Sequence, residues 1–169
     1  MANPRQSTAQ RLIAGEQLNS ILGVSDAQIQ SLAALAFQMY QQGQMKAAET
    51  LFQGVTALND KSYYGYAGIG AVALAKRPPD LATAYKNLSK AADLNPSDAS
   101  VQANLGEVLL RQEKIGEART HLEKAFQLDP GHNDPGANRA RALVGALNVV
   151  VKEVQKRIQS QQTKQAKAS

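Results

Sequence analysis

A phrase that returns at a 34-residue spacing constrains this chain more than any other feature. Pro96 and Pro130 stand 34 residues apart, and each closes a similar run. Ala84, Leu88, Leu94 and Asn95 lead to the first proline, and Ala118, Leu122, Leu128 and Asp129 lead to the second. A third copy runs Ala48, Phe52, Leu58, Asn59, with Asp60 where the proline would stand. Upstream, the pairs Leu35-Ala36, Ile69-Gly70 and Leu105-Gly106 each set a large apolar residue before a small one. The small residue lets another backbone approach, and the large residue four places after each repeated alanine falls on the same helical face. Proline or aspartate then stops the second helix. Units of this kind leave an apolar face open and must stack on neighbours.

The pattern resembles the tetratricopeptide repeat, over residues 29 to 130, and departs from it by two extra residues in the middle turn around Arg77-Pro78-Pro79-Asp80. Strong helix formers dominate and aromatic residues are 5% of the chain, which excludes a sheet-based core. The expected fold is all-α: a tetratricopeptide-repeat α-solenoid of three helix pairs at about 29–62, 63–98 and 99–132, within a body of 25–136. Residues 1–24 form an N-terminal helical segment, with a helix from about Ser7 to Leu22 weakened by Gly15. Ser25 with Gln28 reads as a capping box, and Gly23 marks the end of the preceding helix. Ala140, Leu143, Val144, Leu147, Val150, Val151, Val154 and Ile158 keep helical spacing, which gives a capping helix over 137–158 and a disordered basic tail over 159–169.

Several classes of function are excluded at this level. The chain has no cysteine, so neither disulfides nor thiolate chemistry is available. His121 and His132 stand alone, without neighbours at metal-ligand spacing. Gly65, Gly68 and Gly70 lie within a repeat helix with no strand before them, so they read as packing positions. No enzyme activity, cofactor or metal is expected. The net charge of +5 is carried by the end of the chain, since residues from Arg139 onward sum to +6 and the remainder to −1. That tail reads as a solvated helix end, or as a contact for anionic lipid or nucleic acid; no nucleic-acid partner is expected. The longest near-apolar run, 142–151, is half the length needed to cross a bilayer, so no stable membrane insertion is expected. Met1 to Gln6 lack the apolar stretch of a secretion signal, which fits a cytoplasmic chain.

The tetratricopeptide resemblance implies that the first helix of each pair lines a concave inner surface. Carried across residue by residue, the inner positions include Phe37, Tyr40 and Gln41 in the first copy, Tyr64, Ala67, Ala71 and Leu74 in the second, and Asn104, Leu110 and Arg111 in the third. Gln30, Ala33, Ala34, Ser100 and Glu107 share that surface. Aromatics beside small residues make a roomy apolar groove suited to a peptide or helix of a client protein. Two readings of Phe37, Tyr40 and Tyr64 stand side by side, a groove wall and ordinary inter-helix core, whereas Tyr63 and Tyr66 read as core. Related domains that grip acidic C-termini use a Lys and Asn clamp; here Ala33 and Phe37 occupy those sites, and Glu107 would repel a carboxylate.

The order of motifs from Leu18 to Lys76 is more specific. Leu18-Asn19-Ser20-Ile21-Leu22-Gly23, then Leu32-Ala33-Ala34-Leu35-Ala36-Phe37, Tyr40-Gln41-Gln42-Gly43, Ala47-Ala48 and Tyr66-Ala67-Gly68-Ile69-Gly70-Ala71 are similar to the class II chaperones of type III secretion systems. That resemblance implies a cytoplasmic secretion chaperone that shields a hydrophobic client segment before export, with a homodimer through residues 7–22 as a further possibility. The competing expectation is a generic repeat scaffold or adaptor for assembling a complex, such as a pilus or a signalling assembly.

Overall fold

The computed structural model describes residues 7–168; Met1 to Gln6, where the signal reading falls, and Ser169 lie outside it. Among the described residues there are nine α-helices and no strand. Two short helices, α1 (Thr8–Ile13) and α2 (Leu18–Leu22), lead in. Three pairs follow: α3 (Asp26–Gln41) with α4 (Met45–Leu58), α5 (Tyr63–Ala75) with α6 (Leu81–Leu94), and α7 (Ala99–Arg111) with α8 (Ile115–Gln127). A long α9 (Pro135–Ala168) closes the array.

The starts of α3, α6, α7 and α9 are set by short polar side chains. Ser25 accepts from the Gln28 backbone N–H at 3.2 Å while the Gln28 side chain accepts from the Ser25 N–H at 2.8 Å, completing the capping box. Asp80 accepts from Thr83 N–H at 3.0 Å and Asp98 from Val101 N–H at 2.8 Å. Asp134 accepts from Ala137 N–H at 2.7 Å and from the Ser100 hydroxyl at 2.8 Å. It therefore starts α9 and ties it to the head of α7, with Pro135 preset for the first helical position. The turn inside the first pair uses Gly43 at φ +77°, and the matching turn of the third pair places Glu113 at φ +62°.

The repeated residues are the core. Ala48, Ala84 and Ala118, with Phe52, Leu88 and Leu122, are almost wholly shielded from water. A Cβ on Gly70 would stand 2.6 Å from Leu88 Cγ, and one on Gly106 would stand 2.6 Å from Leu122 Cγ and 3.1 Å from the Ala118 carbonyl oxygen. A Cβ on Gly68 would lie 2.2 Å from the Phe52 ring. These glycines are small so that the large residue of the partner helix can seat against bare backbone.

The first helices touch in succession, α3 to α5, α5 to α7 and α7 to α9. The second helices α4, α6 and α8 make no comparable run of contacts among the described residues, and each packs on the first helices around it. That asymmetry gathers α3, α5, α7 and α9 on the inner side. The period extends into α9: Ala140 follows Gly106 by another 34 residues, and it is fully buried against Leu122 and Ala125. The chain therefore ends its repeats with a fourth first-type helix.

Two boundaries differ from the sequence expectation. The N-terminal helix is broken in two at Gly15, φ +83°, and Arg11 bridges the gap to Glu16. The second piece, α2, lies on α4, and Gln17, just before α2, donates to Asp60 in the turn after α4 at 3.2 Å. At the other end α9 runs to Ala168 instead of stopping at 158. Residues 159–168 hold only Gln, Lys, Ser, Thr and Ala, with neither glycine nor proline to end a helix.

Candidate functional site

The inner side carries two neighbouring hollows along the same helices. The first, of about 340 Å³, is walled by Gln30, Ala33, Ala34 and Phe37 of α3, Tyr63, Tyr64 and Ala67 of α5, and the head of α7. Its room comes from side chains that are small where three helices converge. Phe37 packs edge-on to Phe52 with centroids 5.7 Å apart and to Tyr40 at 6.2 Å. One side of the Phe37 ring is thus fixed by the core, yet 39% of the residue remains accessible. Tyr64 is 36% exposed and stacks at a tilt on Tyr63, 4.2 Å between centroids. Core aromatics do not keep a third of their surface open, so Phe37 and Tyr64 are wall residues of the hollow.

The Tyr63 hydroxyl is held firmly protonated. Burial is the largest cause, followed by hydrogen bonding with Tyr64 and the nearby Asp98 carboxylate. At neutral pH Tyr63 is a neutral donor in a lining whose other polar side chains include Gln30, Ser100 and Asn104. Asp98 is engaged as the cap of α7 and sits at the rim.

The second hollow, about 600 Å³, lies further along the helices between Tyr40, Ala71, Leu74 and the end of α5 on one side, and Asn104, Glu107, Arg111 and Arg139 on the other. It is strongly cationic. Glu107 spends one oxygen on Arg111 at 2.8 Å and the other on Arg139 at 3.1 Å, while Lys76 pairs with Glu49 at 3.0 Å. Arg139 also donates to the Asn104 side-chain oxygen.

Of the residues carried over from the repeat pattern, Phe37, Tyr64 and Ala67 meet in the first hollow, and Tyr40, Ala71, Leu74 and Arg111 in the second, with Asn104 shared by both. Leu110 sits half-buried beside Glu107, Arg111, Arg139 and Leu143 in a smaller adjoining dent. Gln41, the last residue of α3, is exposed and lines neither hollow. Tyr63 packs against the buried Ala67, Ala91 and Val101 as its core reading expects, and it also lines the first hollow; sequence reasoning missed that second place and missed Lys76, Arg77 and Arg139. Arg139 was within reach of one more 34-residue step, since it directly precedes Ala140.

No group of three or more His, Cys, Asp or Glu side chains among the described residues could hold a metal ion. His121 donates its Nδ1–H to the buried Gln102 side-chain oxygen at 2.8 Å, and the Gln102 side-chain N–H in turn donates to the Pro96 carbonyl at 3.1 Å. Both are structural ties between α7, α8 and the preceding turn. No described helix is long and apolar enough to cross a membrane.

Comparison with known proteins agrees with this architecture. The tetratricopeptide repeat family matches residues 99–132. No curated protein sequence matches the chain. Among solved structures, the type III secretion translocator chaperone SycD of Yersinia enterocolitica is similar, with 24% identity, 78% of this chain and 98% of that chain covered, and a TM-score of 0.63. A T3SS complex from Aeromonas hydrophila is similar at 23% identity, with 86% and 95% covered and a TM-score of 0.66. SycD in complex with a peptide of the translocator YopD matches at 23% identity, with 78% and 98% covered and a TM-score of 0.61. The fold is a tetratricopeptide-repeat solenoid.

Proposed function

We propose that this chain is a protein-binding module that holds a hydrophobic segment of a client protein in its concave groove, as a cytoplasmic secretion chaperone. The observation that carries this reading is a solvent-open apolar hollow of about 340 Å³ walled by Phe37, Tyr64 and Ala67. Open apolar surface of this kind is costly in water unless something covers it. The likeness to SycD, one structure of which contains a peptide of the translocator YopD, supports the class of client: a segment that must be kept from aggregating or inserting into a membrane before export. The chain performs no covalent chemistry in this account, and it needs no cofactor. Homodimerisation through residues 7–22 is a secondary proposal, supported by the exposed Leu12, Ile13 and Leu22.

The test is co-expression with a membrane-active translocator and co-purification of the pair. Phe37→Ala removes a wall aromatic already fixed by the core, and a central anchor of that kind contributes about 2 kcal/mol, or roughly thirtyfold in affinity. Loss of the client with helicity unchanged is the expected outcome for Phe37→Ala and Tyr40→Ala. Retention of the client by both variants sinks the groove assignment. The scaffold reading instead expects a soluble partner without membrane-active segments.

A further inference from the structure

We infer that the groove reads an acidic residue as well as an apolar one, with the second hollow serving as a carboxylate subsite set a fixed distance from the apolar pocket. This deepens the proposed groove function and rests on it. Lys76, Arg77, Arg111 and Arg139 line the hollow against a single lining acid, Glu107. Even after Glu49 is counted against Lys76, two positive charges are left over.

The repulsion expected between Glu107 and an incoming carboxylate is offset, because each Glu107 oxygen already faces an arginine, Arg111 at 2.8 Å and Arg139 at 3.1 Å. Glu107 acts as a strut that holds two guanidinium groups side by side. A guanidinium has five N–H donors, so both keep donors free for a second anion. The two arginine side chains are 46% exposed, so they are reachable from the groove. Tyr40, Ala71 and Leu74 give the same hollow an apolar flank for the aliphatic part of a Glu or Asp side chain.

The spacing follows from the helices. On α5 the apolar pocket is centred near Tyr64 and Ala67 and the cationic hollow near Leu74 to Lys76. On α7 the corresponding groups are Ser100 to Asn104 and Asn104 to Arg111. At about 1.5 Å of rise per residue the separation is about 14 Å along α5 and about 8 Å along α7. An extended peptide covers such a distance in about two to four residues at about 3.3 Å each. The ligand is therefore an extended peptide with an aliphatic residue and, two to four positions away, a glutamate or aspartate.

The experiment titrates the full chain by NMR with end-blocked ten-residue peptides that contain leucine at the third position and glutamate at the seventh. The comparison peptides replace the glutamate by glutamine, or the leucine by serine. The glutamate peptide is expected to bind about fivefold more tightly than the glutamine peptide at low salt, the gain from pairing with half-exposed arginines. The gap closes in high salt, where charges are screened within about 3 Å. The Arg111→Gln, Arg139→Gln double substitution also closes it. Equal affinity for glutamate and glutamine peptides, with the serine peptide still weakened, overturns the carboxylate subsite and leaves the apolar groove standing. Failure of every peptide to shift the groove resonances overturns the groove reading and the subsite together.

Discussion

Replacing Gly68 by alanine opposes two effects of known sign. Glycine within a helix is disfavoured relative to alanine by about 1 kcal/mol, so the substitution alone would stabilise α5. The added Cβ, however, would lie 2.2–2.3 Å from three atoms of the Phe52 ring. Carbon atoms in contact sit about 3.5–4.0 Å apart, so the ring would have to withdraw by more than about 1 Å. It has nowhere to go: Phe52 is 1% exposed and its edge meets Phe37. Overpacking of this kind costs about 1–3 kcal/mol, which, set against the helix gain, leaves a net loss centred on about 1 kcal/mol.

Gly54 is the internal control. It lies within α4, and an added Cβ there would meet nothing within 4 Å. Gly54→Ala is expected to stabilise the protein by about 0.5–1 kcal/mol. Urea denaturation followed by far-ultraviolet circular dichroism reads both variants. A Gly68→Ala protein as stable as the parent, or more stable, would refute the claim that bare backbone at that position seats the Phe52 ring and, through it, the Phe37 wall.

Three further outcomes are expected. Glu113 adopts φ +62°, which a side chain resists; Glu113→Gly should raise stability by about 1 kcal/mol in the same denaturation assay. Burial, then the nearby Lys124 charge, holds the His121 pKa below its ordinary value of about 6.5. The unfolded chain therefore takes up that proton first, and the urea midpoint should fall as pH drops below about 6.5; His121→Gln should flatten that part of the curve. Asp129 is pushed upward by burial, but the backbone N–H groups of Asn133 and Asp134 and the Arg141 guanidinium outweigh that and keep it below the usual carboxylate range. A further loss of stability is expected below about pH 3.9, where the unfolded carboxyl protonates first.

The repeat body is legible in the sequence because its rule is local and steric. Gly70 with Leu88, and Gly106 with Leu122, are small and large partners dictated by one close approach, and each approach recurs at a fixed spacing. The N-terminal segment is less legible. Gly15 reads as a weak point in one helix, whereas its left-handed φ of +83° breaks the helix outright. The apolar wall at Phe37 and Tyr64 follows from inner-helix positions, but Tyr63 does not: it stands first in α5, where a tyrosine can turn to the core or across its neighbour, and it stacks on Tyr64. The cationic hollow is the least legible part. Its charges come from the irregular turn after α5, from α7 and from α9, elements that no single period aligns. Their convergence is a property of the stacked fold.

The central claim is that a client segment lies in the concave side between α3, α5 and α7. Its most direct test places a photo-crosslinking amino acid at Tyr64, on the groove wall, and separately at Glu117, exposed on α8, in chains co-expressed with a membrane-active translocator. Crosslinks from position 64 to an aliphatic segment of the translocator, with little from 117, are the expected result. Efficient crosslinking from 117 together with silence at 64 would contradict the account.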